Sequence, residues 1–292
     1  MHALHSVVLA LFGFLGAPGD ASNDDGLNSS AEQRLAFAQQ AAGGYRFRIA
    51  EREKSIVKLH PVPLLRWNNH VVREDDGMLF LWTEGEKGRP VAAAQFFLVG
   101  PDWNHEFQSL SPQPFAARFE GEGGAGWAWQ PTRGGVDFVV ADKIDSPAES
   151  ANQRLRQMKT IAERFSAAVD QEGKFESPEQ LRLLTTPIYR YSASDRGVLD
   201  GGLFAFVQGT NPEILMLIEA STENPAASVW RYGFARMSCF YLRVRRDDQV
   251  VWKRDREPVP TSDRGSPYFF RPRAQADHSA ELELPDSRKK KD

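Results

Sequence analysis

Cysteine is nearly absent, with Cys239 the only one in 292 residues. An intramolecular disulfide is therefore excluded, so stability has to come from a packed core, and metal chelation by clustered cysteine and histidine is excluded with it. Cys239 lies in the apolar run Met237-Ser238-Cys239-Phe240-Tyr241, where a buried, inert thiol is expected. A catalytic thiolate needs an electropositive, partly open setting. A dominant sign of charge is missing too. The 36 basic and 39 acidic residues leave a net charge of −3, which offers no field to a nucleic acid. The apolar run at residues 7–17 is 11 residues long, too short to span a bilayer. No Gly-x-Ser-x-Gly, His-Glu-x-x-His or Walker pattern occurs, which removes the nucleophile, zinc-protease and nucleotide-binding signatures. The GEGGAG stretch at 121–126 has the composition of a phosphate loop but runs into Trp127-Ala128-Trp129 and Pro131 instead of a helix, so it reads as a connection. No cofactor and no metal is expected.

What is present suits a globular, exported chain. Apolar residues make up 41% and aromatics 11%, enough for a substantial core. The apolar run at 7–17 followed by Gly19-Asp20-Ala21 has the length and small-residue pattern of a signal peptide cleaved before Ser22. Residues 1–21 are thus expected to direct export to the periplasm, envelope or exterior, although His2 and His5 stand where Lys or Arg is usual.

Positions 59–85 reappear without a gap 124 residues later, with 8 identities in 27 positions. Leu59, Pro63, Arg66, Asp76, Gly77, Leu79, Phe80 and Gly85 answer to Leu183, Pro187, Arg190, Asp200, Gly201, Leu203, Phe204 and Gly209. Trp103-x₃-Phe107-x₃-Ser111 likewise answers to Trp230-x₃-Phe234-x₃-Ser238. Two copies at so long a period indicate a duplicated half, not a solenoid. The expected organisation is a linker at 22–29, a first half at 30–141, a second at 142–271 and a disordered tail at 272–292. Capping boxes at Ser30 and Ser146 start a helix in each half, and another at Ser177 predicts a short helix ending before Pro187. The stretch 78–82 and its counterparts 203–207 and 214–218 are apolar on consecutive residues, the mark of strands covered on both faces. The expected fold is therefore α+β: a helix plus antiparallel meander, duplicated into pseudo-symmetric halves that share a core. The analogy is cystatin-like, with a hot-dog-like alternative. Asp76-Gly77 and Asp200-Gly201 read as turns before buried strands.

Six residues stand out as candidate binding positions: Trp103, His105, Trp127, Trp129, Glu219 and Arg236. His105 and Glu106 belong to one copy only, their counterparts being Tyr232 and Gly233. Neighbours on a strand face opposite ways, so they cannot form a side-by-side acid–base pair. Glu219 ends an apolar run and aligns, without a shift, with Gln95. A desolvated carboxylate needs a partner, and Arg236 on the next strand is the expected one. Trp127 and Trp129 are the best exposed stacking surfaces. No catalytic residue is assigned; a hydrolase with His105 or Glu219 as general base is the alternative.

The segments Arg66-Trp67-Asn68-Asn69, the run from Asp76 to Trp82, the run from Phe204 to Glu213 and the run from Trp230 to Ser238 resemble an uncharacterised exported family of planctomycete-type bacteria. The resemblance spans about residues 45–270 and implies export and a shared fold, without an activity or catalytic residues. The function expected from the whole is a non-enzymatic binding or structural module, taking a small ligand or an envelope partner between its halves.

Overall fold

The structure, a computed structural model, describes residues 22–49, 56–69, 74–85, 87–121, 126–222, 228–261 and 263–282. The expected signal segment and its cleavage site lie outside these, as do residues 122–125 of the GEGGAG stretch and the basic run at 288–291.

Helix α1 (Ser22–Gly43) leads into strands β1 (Tyr45–Ile49), β2 (Val57–Leu59), β3 (Leu65–Asn69), β4 (Glu74–Glu84), β5 (Pro90–Val99), β6 (Asp102–Ser109), β7 (Phe115–Phe119), β8 (Ala128–Trp129) and β9 (Val139–Val140). Helix α2 (Ala151–Ala162) is followed by β10 (Phe165–Asp170), β11 (Glu179–Leu183), β12 (Tyr189–Ala193), β13 (Val198–Gln208), β14 (Asn211–Ser221), β15 (Val229–Arg236), β16 (Tyr241–Arg246), β17 (Gln249–Arg254) and β18 (Tyr268–Ala276).

Two antiparallel sheets carry the architecture. One runs β18-β6-β5-β4-β2, with β3 also on β4; the other runs β17-β16-β10-β11-β13-β14-β15-β9, with β12 on β13. Their centres have the same order and register. Leu65 faces Leu79 and Trp67 faces Gly77, as Tyr189 faces Leu203 and Tyr191 faces Gly201. The strand that follows each half pairs with the sheet of the other: β9 borders β15, and β18 borders β6.

Consecutive apolar residues on β4, β5, β13 and β14 feed two cores at once, as period-2 geometry requires. Met78, Phe80, Trp82 and Phe96 point into an aromatic core beneath α1, β1 and β7. Phe204, Phe206, Met216 and Ile218 do the same beneath α2 and the curled strands β10 and β16. The alternate residues Leu79, Leu81 and Ala93 meet Leu203, Ala205, Leu215 and Leu217 in a third core between the two sheets. Each buried leucine there contributes roughly 1.5–3 kcal/mol of apolar burial.

The α+β expectation is overturned. The chain is mainly β, about 50% strand against 14% helix, with two α-helices among the described residues. Each helix covers only part of one outer sheet face, and further strands cover the rest. In the second half β11 pairs with both β10 and β13, so the sheet curls into a half-barrel. Neither the cystatin-like nor the hot-dog-like arrangement forms.

Local expectations shift with it. Helix α1 begins at Ser22, so residues 22–29 are not a linker. Helix α2 is capped by Ser150, whose Oγ accepts from the Gln153 amide, and not from Ser146. The segment expected as a helix after Ser177 is strand β11 instead. The expected disordered tail begins inside β18, and Asp277 Oδ1 accepts from Trp103 Nε1 at 3.1 Å. Asp76-Gly77 and Asp200-Gly201 lie within strands and not in turns. Their glycines make room for aromatic rings: a Cβ on Gly77 would stand 2.3 Å from Trp67, and one on Gly201 2.5 Å from Tyr191.

Candidate functional site

Glu219 points into the inter-sheet core from the same face of β14 as Leu215 and Leu217, and is fully buried. A carboxylate in that position is tolerable only when several donors surround it. Arg231, directly opposite on β15, places Nε 2.9 Å from Oε2. The Tyr191 hydroxyl donates to Oε1 at 2.8 Å. Arg89 comes from the β4–β5 connection of the other half. Its Nη2 donates to Oε2 at 3.1 Å, while Nε makes a 2.9 Å ion pair with Oε1 that lacks hydrogen-bond alignment. The two guanidiniums stack over Phe138 at 5.0 and 4.9 Å from its ring centre. Burial, and then the charge of Glu219, push the Tyr191 hydroxyl well above its usual range, so it stays protonated and donates.

This network seals one end of the seam between the halves, and its outer side opens to a cleft of about 350 Å³. Glu84, Arg89, Ser111 and Gln113 line it from the first half, and Asp195 and Arg196 from the second. Arg196 joins the two, 2.9 Å from Glu84 and 3.0 Å from Asp195. Tyr189 donates to the carbonyl of Gly88 at 3.1 Å and holds the same connection. At the far end of the seam Gln95 donates to the carbonyls of Pro212 and Met237, both at 2.6 Å.

The expected Glu219–Arg236 pair does not form. Antiparallel register puts Arg231 opposite Glu219 and Arg236 opposite Ile214, five residues further along, or roughly 17 Å at strand rise. Arg236 instead contacts Glu257 Oε1 at 3.1 Å, donates to the carbonyls of Ser238, Asp255 and Phe240, and stacks over Tyr268. Nor is Gln95 the counterpart of Glu219. Phe97 faces Gly77 as Glu219 faces Gly201, because the β4–β5 connection is two residues longer than that of β13–β14. Phe80 faces Ala94, fourteen residues on, whereas Phe204 faces Met216, twelve on.

His105 is fully buried under Phe96, with ring centres 3.7 Å apart, and its Nδ1 lies 2.6 Å from the Tyr45 hydroxyl. Arg271 donates to that hydroxyl from the other side at 3.2 Å. Glu106 faces the opposite way and accepts from Tyr268 at 2.5 Å. Neither His105 nor Glu219 lines the cleft. Trp127 and Trp129 are buried instead of presenting stacking surfaces, and Trp129 Nε1 donates to the Ser266 carbonyl at 2.8 Å. Trp103 is also fully buried. Cys239 is half-buried, its thiol pushed up to about 11 by burial and the charge of Glu106. Among the described residues no group of His, Cys, Asp or Glu could hold a metal ion, and no helix is long and apolar enough to cross a membrane.

The sealed histidine gives a first prediction. Burial, and then the charge of Arg271, hold the imidazole well below its ordinary value, so it is neutral in the fold. Above about pH 6.5 neither folded nor unfolded chain protonates it, and its full contribution to stability is present. As pH falls below that value only the unfolded chain takes the proton, so stability is lost with a limiting slope of about 1.4 kcal/mol per pH unit. Urea titrations between pH 7.5 and 5 should show this loss in the wild type and a flatter profile in His105→Phe. Identical profiles would contradict the assignment.

Arg89 and Arg196, the residues that make this site, were not singled out by sequence reasoning. The available signal was the difference between the halves: Arg196 aligns with Val72 at the 124-residue offset, and Arg89 lies in the longer connection. No protein-family model, curated protein or solved structure matches this chain.

Proposed function

We propose that the chain is an exported, non-enzymatic binding module built from two duplicated halves, and that it takes a small polar ligand at the mouth of the seam between them. The observation that carries this reading is the composition of that cleft. Side chains from both halves converge there, with hydroxyl, amide, guanidinium and carboxylate groups within one concave wall. A few convergent polar groups in a cleft are what fixes a ligand's orientation. The two candidate general bases stand elsewhere, Glu219 held by three donors and His105 enclosed in an aromatic core, and the carboxylates that do line the cleft, Glu84 and Asp195, are both paired with Arg196. Charges of both signs line the cleft and partly neutralise each other, which favours a ligand rich in hydrogen-bonding groups over a simple ion. Support for duplication comes from the matched strand order and register of the two sheets. Support for export comes from the apolar run at 7–17 with its small-residue cleavage pattern.

A thermal-shift panel of amino acids, short peptides and neutral mono- and disaccharides tests the reading. At least one class should raise the melting temperature in a saturable way, and Gln113→Trp, which fills the cleft, should abolish the shift without unfolding the protein. Turnover of a generic ester, glycoside or phosphoester that depends on His105 or Glu219 would sink the non-enzymatic reading. Ligand binding unaffected by Gln113→Trp would sink the cleft.

A further inference from the structure

On the outer face of the second half, strands β10, β11 and β16 form a groove of about 320 Å³, floored by Ser166 and Ala168 and walled by Phe175, Gln180, Arg243 and Arg245. Cross-strand register places Gln180 beside Ala168, Ala168 beside Arg243, and Arg243 beside Lys253 of β17. Like charges directly opposite on a sheet are destabilising. Among the described residues, Arg243, Arg245 and Lys253 have no carboxylate partner and no side-chain hydrogen bond. The first half shows how such a pair is normally relieved. Arg46 and Arg118, also directly opposite, are both bound by Glu120, at 3.1 and 2.6 Å. Among the described residues no side chain performs that service for Arg243 and Lys253.

The groove is also built in advance. Asp170 accepts from the backbone amides of Glu172, Gly173 and Phe175 at 2.7, 2.8 and 2.7 Å. That turn holds Phe175 at a positive φ of 54°, with its ring centre 3.7 Å from the Arg243 guanidinium. A stacked guanidinium has one face covered and its N–H edge left for an oxyanion. Asp248 adds one acceptor at the rim.

We propose that this groove is an anion site for a small hydroxylated oxyanion, such as a sugar acid or sugar phosphate. The carboxylate or phosphate would lie in the groove against Arg243 and Arg245, in the role that Glu120 plays for Arg46 and Arg118 in the first half. Lys253, one strand beyond Arg243, adds to the positive charge. A neighbouring hydroxyl would donate to Asp248 and accept from Gln180. The site stands apart from the seam mouth and does not depend on it.

Calorimetric titration with glucuronate, glucose 6-phosphate, inorganic phosphate and glucose tests the assignment. Both sugar anions should bind saturably, with affinity falling as salt rises. Inorganic phosphate should bind more weakly and glucose not at all. Arg245→Gln, an exposed change, should weaken the sugar anions at least tenfold at an unchanged melting temperature. Asp170→Ala discriminates further. It removes a negative charge, so a merely electrostatic surface would bind anions more tightly, whereas loss of the built turn weakens binding. Gln113→Trp should leave the titration unaltered. Equal binding of glucose, equal or tighter binding of phosphate, Arg245→Gln within twofold of wild type, tighter binding by Asp170→Ala, or no binding of either sugar anion would each overturn the proposal.

Discussion

Glu219→Leu is expected to cost about 3–5 kcal/mol of folding stability, the loss typical when one partner of a buried ion pair is removed. The leucine fits the apolar inter-sheet core, so packing is not the source of the loss. The loss comes from Arg89 and Arg231, whose charged side chains are only 11% and 12% exposed and lose this carboxylate, and from Tyr191, whose hydroxyl loses its acceptor. Against a typical total of roughly 5–15 kcal/mol such a loss is severe. Glu219→Gln should cost about half as much, because the amide oxygen still accepts from Tyr191 and one arginine. The triple change of Glu219→Leu with Arg89→Met and Arg231→Met should recover most of the loss, since apolar replacement of a whole buried network is often neutral or stabilising. Urea unfolding followed by tryptophan fluorescence reads all three. A Glu219→Leu loss below about 1 kcal/mol, on the scale of a surface pair, would contradict the buried-network assignment.

The second large effect is expected at Asp200. Its Oδ1 accepts from Arg190 Nε at 2.9 Å, and its Oδ2 accepts from Arg190 Nη2 at 2.6 Å and Arg154 Nε at 2.9 Å. Arg190 also donates to the Ala151 carbonyl at 2.6 Å, so one carboxylate ties α2 to β12 and β13. In the first half Arg66 repeats the fork on Asp76 and reaches the Ala31 carbonyl at 2.7 Å. The halves differ in what the loss would strand. Asp200→Ala leaves Arg154, whose side chain is only 10% exposed, whereas Asp76→Ala leaves Arg66, which is 34% exposed. Asp200→Ala should therefore cost about 3–5 kcal/mol, and Asp76→Ala no more than about half of that. Equal losses at the two sites would show that Arg154 adds nothing to the tether.

What could be read from the sequence followed from local pattern. Runs of consecutive apolar residues at 78–82, 203–207 and 214–218 announced strands covered on both faces, and all three lie in β4, β13 and β14 with the two sheets packed together. The need of Glu219 for a donor was also legible, because a carboxylate ending such a run has to be desolvated. Which donor it finds was not. Arg231 is chosen by the register of β14 on β15, and Arg89 arrives from 130 positions away. Non-local pairing likewise decided the fold class. The capping box at Ser177 is a sound local helix signal, yet Leu181 and Leu183 pair with β10 and β13, and that tertiary pairing prevails over propensity. The exchange of β9 and β18 between the sheets leaves no trace in local pattern. It is why the supposed tail forms structure, and why residues 263–270 reach Trp129 and bury it.

On the function proposed above, the seam mouth holds a ligand and performs no chemistry on it. A crystal structure of the protein isolated from its own host, read for density that no protein atom explains, tests it most directly. An intact polar small molecule is expected in the cleft, hydrogen-bonded to at least one side chain from each half, with Gln113 and Arg196 among its contacts. A cleft filled only by solvent, with a ligand seated elsewhere or a cleaved product beside Glu219 or His105, would contradict it.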